Sequence, residues 1–217
     1  MLRFSERKLS VPILTLLFCL AATGSTPAQS ATPAAYPVAP DPSECLAQPA
    51  SPDEIATILG TAVPEPAGSP AGSPAPFVIP PGRPADTETS TEVIATLRQL
   101  FACANAGDAL RVASFYTDDF VRDFFGGVPV GDLLEFLAIA PKPLPEAQKR
   151  IIVRFGQVQI LPDGRAGVVI VLDEPDDPRI EEPDFVILEQ VDGRWLVDEI
   201  HEDPAAATTS VTGTPLP

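Results

Sequence analysis

Residues 150–201 read RIIVRFGQVQILPDGRAGVVIVLDEPDDPRIEEPDFVILEQVDGRWLVDEIH, and the two-residue period of this stretch decides the fold. Ile151, Val153 and Phe155 fall on one side of an extended chain, Gly156 marks a bulge or bend, and Val158 and Ile160 follow. Pro162-Asp163-Gly164 turns the chain. Ala166 to Leu172 is apolar on both faces, as a strand covered from both sides requires. Phe185 to Val191, a turn at Asp192-Gly193, and Trp195 to His201 then complete an antiparallel meander.

Upstream the period changes to that of a helix. Thr89 and Glu92 have the spacing of a capping box, and Val93, Leu97, Leu100, Phe101 and Ala104 recur behind them. Gly107 ends this helix and Asp108 caps a second, which carries Leu110, Val112, Ala113, Phe115 and Tyr116. Phe120, Phe124 and Phe125 precede Gly126-Gly127. A third helix is predicted from Val130 to Ala140, stopped by Pro141, Pro143 and Pro145. Helices first and an antiparallel sheet after is an α+β layout, and the roughly 115 residues of 89–203 suffice for its core.

The amino terminus reads differently. Arg3, Arg7 and Lys8 precede the apolar run Val11 to Ala22, and Ala28-Gln29-Ser30 supplies small residues at cleavage spacing, so residues 1–30 read as a secretory signal peptide. The apolar run is too short to span a bilayer. Export to the cell surface or beyond, as in a bacterial secreted protein, is the expectation. Residues 31–88 hold 14 of the 27 prolines and a tandem Ala-Gly-Ser-Pro repeat at 67–74, the composition of an extended tether rather than a packed core. Ser51-Pro52-Asp53-Glu54 carries helix-start signals and Gly60 a stop, which predicts a short helix at 52–59. Such a helix is unstable alone and is expected to dock on the main domain. Residues 204–217 are expected to be a disordered tail.

Charge excludes some partners. The chain carries 14 basic and 30 acidic side chains, and loss of residues 1–30 would leave 11 against 29. A field of that sign repels phosphate backbones and anionic lipid, so nucleic acid is not expected as a partner. Cleavage would also remove Cys19, leaving Cys45 and Cys103. In an oxidising compartment that pair most economically forms one disulfide, two buried thiols being the alternative. Two thiols with His201 fall short of four zinc ligands unless carboxylates join, and no metal or other cofactor is predicted. Asp173, Glu174, Asp176, Asp177, Glu181, Glu182 and Asp184 crowd one loop without the register of a calcium-binding loop, which reads as a solvated acidic hairpin.

Leu100-Phe101-Ala102-Cys103-Ala104-Asn105-Ala106-Gly107-Asp108, then Phe115-Tyr116-Thr117-Asp118-Asp119-Phe120, then Asp192-Gly193-Arg194-Trp195, resemble the nuclear transport factor 2-like superfamily of ketosteroid isomerases, SnoaL-like cyclases and non-enzymatic domains. The resemblance covers residues 89–203. It implies a strongly curved, cystatin-like antiparallel sheet wrapped round the helices as a cone, with a pocket at the open end. The isomerases of that superfamily set an aspartate base against a tyrosine and a protonated acid. Here the first helix lacks a tyrosine and only Tyr116 belongs to the folded part, so no catalytic residue is carried over.

Four residues remain as candidate ligand contacts. Tyr116 is an amphipathic phenol at a helix end, which either packs or binds, and Phe120 follows it by one turn. Arg154 sits among apolar strand residues, where it faces solvent or pairs with a ligand carboxylate. His201 is the sole histidine, beside Glu199, Glu202 and Asp203; it is either a polar strand end or an acid–base group. The leading expectation is an exported, non-catalytic module whose cone-shaped pocket binds a small apolar ligand or a protein. The alternatives are an isomerase, cyclase or dehydratase-type enzyme, and a dimerising scaffold.

Overall fold

Asp86, not Thr89, starts the long helix of this protein. In the computed structural model, which describes residues 36–60, 77–173, 183–202 and Pro204, the Thr89 backbone N–H donates to Asp86 Oδ1 at 2.8 Å and the helix runs Thr87–Asn105. Glu92, freed from the expected capping box, accepts the indole N–H of Trp195 at 3.1 Å and ties the helix to the last strand. The leader at 1–30, the repeat at 67–74, the acidic stretch at 174–182 and the tail beyond Pro204 lie outside the described residues.

Five α-helices are described: α1 (Pro52–Gly60), α2 (Thr87–Asn105), α3 (Ala109–Ala113), α4 (Asp118–Phe125) and α5 (Val130–Leu137). Asp108 caps α3 through the Arg111 N–H, as its position predicts. The sequence reading passed over α4, although Thr117 caps it through the Phe120 N–H and Asp118 and Asp119 occupy its first turn, where the helix dipole favours them. Ile55 of α1 is buried against Ala113, Val121, Leu133 and Leu137, so the short helix docks on α3, α4 and α5.

The strands are β1 (Arg83–Pro84), β2 (Ile151–Phe155), β3 (Gln159–Ile160), β4 (Ala166–Asp173), β5 (Pro183–Val191) and β6 (Arg194–Glu202). They pair antiparallel in the order β1-β3-β4-β5-β6, with β2 also on β4. Asp192 and Gly193 both have positive φ, 51° and 77°, which the tight β5–β6 hairpin needs. One layer of core joins α2 to the sheet through Val93, Leu97, Phe101, Val168, Ile170, Leu188 and Val197. On the opposite face Phe77 and Ile79 cover Leu161, Phe185 and Ile187. β4 is thus buried from both sides, as its apolar run predicts, and so is β5 from Phe185 to Leu188.

This architecture corrects the expected cone. The sheet is open and uncurled: it ends at β1 and β6, which do not pair. The nuclear transport factor 2-like and SnoaL-like reading therefore does not hold, and neither does a cystatin-like wrapped sheet with a cone-shaped pocket. The physical reason lies in what covers the sheet. Residues from outside it add to its margins: Val38 exchanges backbone hydrogen bonds with Ile152 at 2.9 and 2.8 Å, and Val197 is bonded by Phe115 and Thr117 at 2.7 and 2.9 Å. The middle strands are packed by α2 on one face and by Phe77 and Ile79 on the other, so the sheet is sandwiched rather than wrapped round its helices. What survives of the expectation is the α+β class and the antiparallel pairing.

Cys45 and Cys103 form the expected disulfide, with Cα atoms 4.7 Å apart. It fastens residues 36–50 along α2. In that segment the Leu46 N–H donates to Gln99 Oε1 at 2.9 Å, Glu44 pairs with Arg98 at 2.9 Å, and the Tyr36 ring meets Phe155 edge-on at 5.5 Å.

Candidate functional site

The helical side of the sheet leaves an open trough of about 630 Å³, bounded by α2 to α5 and by the cleft-facing residues of β4 and β6. Its wall is built by α4. Thr117 fixes the start of that helix twice, accepting from the Phe120 N–H at 3.1 Å and donating its hydroxyl to Asp198 on β6 at 2.8 Å. Helical spacing aligns Phe120 with Phe124, and Tyr116, just before the cap, adds a third ring. Tyr116 stacks on Phe120 at 4.4 Å and Phe120 on Phe124 at 5.5 Å, so aromatic surface runs from the core outward. Phe120 is buried, whereas Phe124 is 67 % exposed. Opposite it stand Phe136 of α5, 55 % exposed, and Ile200 of β6, 42 % exposed.

Polar groups enter at the margins: Asp108, Arg150, Asp184 and Glu202 line the same trough. The backbone of Arg150 is held by Asn105, whose side chain accepts the Arg150 N–H at 2.8 Å and donates to the Arg150 and Pro40 carbonyls at 3.1 and 3.0 Å. Asn105 is fully buried, and its three bonds join α2, the disulfide-tied segment and the entry to β2.

The four predicted contact residues do not converge. Tyr116 and Phe120 sit side by side in the trough. Arg154 is exposed on β2 and does not line it. His201 points to the other face of β6, since its neighbours Ile200 and Glu202 line the trough and strand residues alternate. There its ring lies on Phe77 with centroids 3.5 Å apart, and its Nε2 donates to Glu199 at 2.7 Å. Phe124, Phe136 and Ile200 were missed as site residues. Their signal was an apolar side chain on the solvent side of an amphipathic element, which in sequence looks the same as core.

A charged cluster lies beside His201. A bulge in β6 sets Ile187 opposite Glu199 and Leu188 opposite Val197, leaving Asp198 as the extra residue. Arg165 consequently reaches both consecutive acids, bonding Asp198 at 2.6 Å and Glu199, and it also bonds Asp163 at 2.9 Å. Burial works against charge on Glu199, but the hydrogen bonds from Arg165 and His201 outweigh it and hold the carboxyl below its ordinary value. Burial likewise opposes the charge on Arg165, and its three carboxylate partners more than offset this, so its pKa is raised.

No family model, curated protein or solved structure matches this chain. Function must therefore be read from the site. Among the described residues no group of three or more His, Cys, Asp or Glu side chains is placed to hold a metal ion, and no helix is long and apolar enough to cross a membrane. What the trough offers is an apolar, aromatic, solvent-facing surface with acids at its margin.

Proposed function

We propose that this chain is a non-catalytic domain that works outside the cytoplasm by docking a protein partner along the trough between α4, α5 and β6. The observation that carries the reading is the exposure of Phe124, Phe136 and Ile200 around one depression. Large apolar side chains left in water about a shared groove are the mark of an interaction surface. An enclosed binding cavity would instead bury them. The arrangement of polar groups favours a binding role over acid–base chemistry, because His201 is engaged by Glu199 and Phe77 on the face away from Tyr116. Export is supported by the basic, apolar and small-residue succession of residues 1–30 and by the Cys45–Cys103 bridge, which persists in oxidising compartments.

A photo-crosslinking amino acid placed at Phe124 or Phe136 in the producing cell tests this. Discrete adducts from both positions are expected, with none from a control at Leu46, which is exposed and does not line the trough. Adducts of twice the chain mass would identify a second copy as the partner. Equal labelling from all three positions would overturn the reading.

A further inference from the structure

Resting on that reading of the trough, we infer that its partner is a helical segment with an apolar stripe flanked by lysine or arginine.

Three observations converge on that chemistry. The first is electrostatic. The outer surfaces of α4 and α5 carry Asp119, Asp123, Asp132 and Glu135, all exposed, against Arg122 alone. Arg122 is ion-paired with Asp119 and cancels that one charge, so the remaining acids set the sign of this surface. Inside the margin, Asp184 and Glu202 stand against Arg150, while Asp108 is ion-paired with Arg111. A partner with acidic flanks would meet repulsion along the whole groove, whereas a cationic one gains attraction at both walls.

The second concerns backbone pairing. A partner that added a strand would need open sheet edges, yet β1 is only two residues long and includes Pro84, which has no N–H, Val38 occupies the β2 edge at Ile152, and residues 115–117 occupy the middle of β6. The docking mode left is side chains entering a groove, as an amphipathic helix provides.

The third is shape. The eight residues of α4 and of α5 give each helix a length of about 12 Å. That matches roughly two turns of an incoming helix, enough for anchors at i, i+3 or i+4, and i+7. Phe124 and Phe136 would flank those anchors from the two walls, with Ile200 beneath.

Titration of the full-length oxidised chain with three synthetic 14-residue peptides, followed by amide NMR shifts and calorimetry, tests the inference. The peptides are a leucine/lysine amphipathic helix, its leucine/glutamate counterpart, and a leucine/lysine peptide of the same composition with scrambled order. The basic helix is expected to bind saturably, shifting amides of α4, α5 and Ile200. The acidic helix should bind at least about tenfold more weakly, and the Asp123→Lys/Glu135→Lys variant should lose about tenfold toward the basic helix. The Phe124→Ala/Phe136→Ala variant, altered only at exposed positions, should lose at least about tenfold. Equal binding of the acidic and basic helices at the same amides would overturn the charge selection while leaving protein docking in the trough standing. Equal binding of the scrambled peptide, shifts confined elsewhere, or no binding by any peptide would overturn the inference outright.

Discussion

His201 lies flat against Phe77, the ring centroids 3.5 Å apart and the planes 5° from parallel. Phe77 also stacks on Phe185 at 5.9 Å, so one side chain from a proline-rich segment covers both a core ring and the only imidazole. Removing it uncovers the second core layer. Phe77→Ala is expected to cost about 2 kcal/mol, less than a fully buried phenylalanine because Phe77 is itself partly exposed. Urea denaturation at neutral pH checks this, with the slope unchanged.

Asn105 is a buried polar junction, and deletion of its amide strands three backbone groups at once. Asn105→Ala should destabilise the protein by about 3 kcal/mol, since buried groups left without partners carry their full desolvation penalty. Asn105→Asp keeps the shape but sets an acceptor against two carbonyls, and an equal or larger loss in melting temperature is expected.

Acid should loosen the β6 bulge. Glu199 is held below its ordinary value in the folded chain, as are Asp163 beside Arg165 and the capping residue Asp86. With folded values depressed, the unfolded chain binds more protons as pH falls. The stabilisation is fully present above the unfolded carboxylate values of about 4 and is lost as pH drops through the folded ones. Denaturation midpoints should therefore decline below about pH 5, and Glu199→Gln should flatten part of that decline. A variant with an unaltered acid profile would contradict the assigned contacts.

Gly167 of β4 lies beneath the Phe185 ring, where an added Cβ would overlap the ring carbons. Gly167→Ala is expected to cost about 2 kcal/mol through overpacking. The double variant Gly167→Ala/Phe185→Leu should recover part of the loss, so a double-mutant cycle reads the contact directly.

Reducing the Cys45–Cys103 bridge frees residues separated by 58 positions. The expected loss is about 4 kcal/mol if chain entropy governs. Hydrogen exchange should show residues 36–50 opening before α2 does, because their remaining ties are a few side-chain bonds, the Val38 pairing and the Ala50–Leu110 backbone bond.

Much of the fold was legible because its signals are local. The Asp192-Gly193 turn and the Asp108 cap each act within a few residues and stand where the sequence places them, whereas the two-residue period expected for Ile151, Val153 and Phe155 is broken by a bulge at Val153 that makes Ile152 the buried residue. The helix α4 was legible too, in Thr117-Asp118-Asp119, yet its three phenylalanines masked the start signal. The site was read only in part. Tyr116 precedes the Thr117 cap of the helix that carries Phe120 and stays beside it through four residues of chain, whereas His201 and Arg154 belong to strands whose facing depends on the sheet around them.

By itself, then, the amino-acid sequence determined the order of helices and strands, their antiparallel pairing and the cysteine pair, since hydrophobic period, turn chemistry and cysteine count carry that information along the chain. Only the tertiary structure decided that the sheet stays open, that Phe77 and Ile79 seal its second face, that a bulge lets Arg165 span Asp198 and Glu199, and that Phe124, Phe136 and Ile200 end up in water around one trough. Curvature and exposure are set by which distant segments pack on each face, and no local pattern encodes that choice.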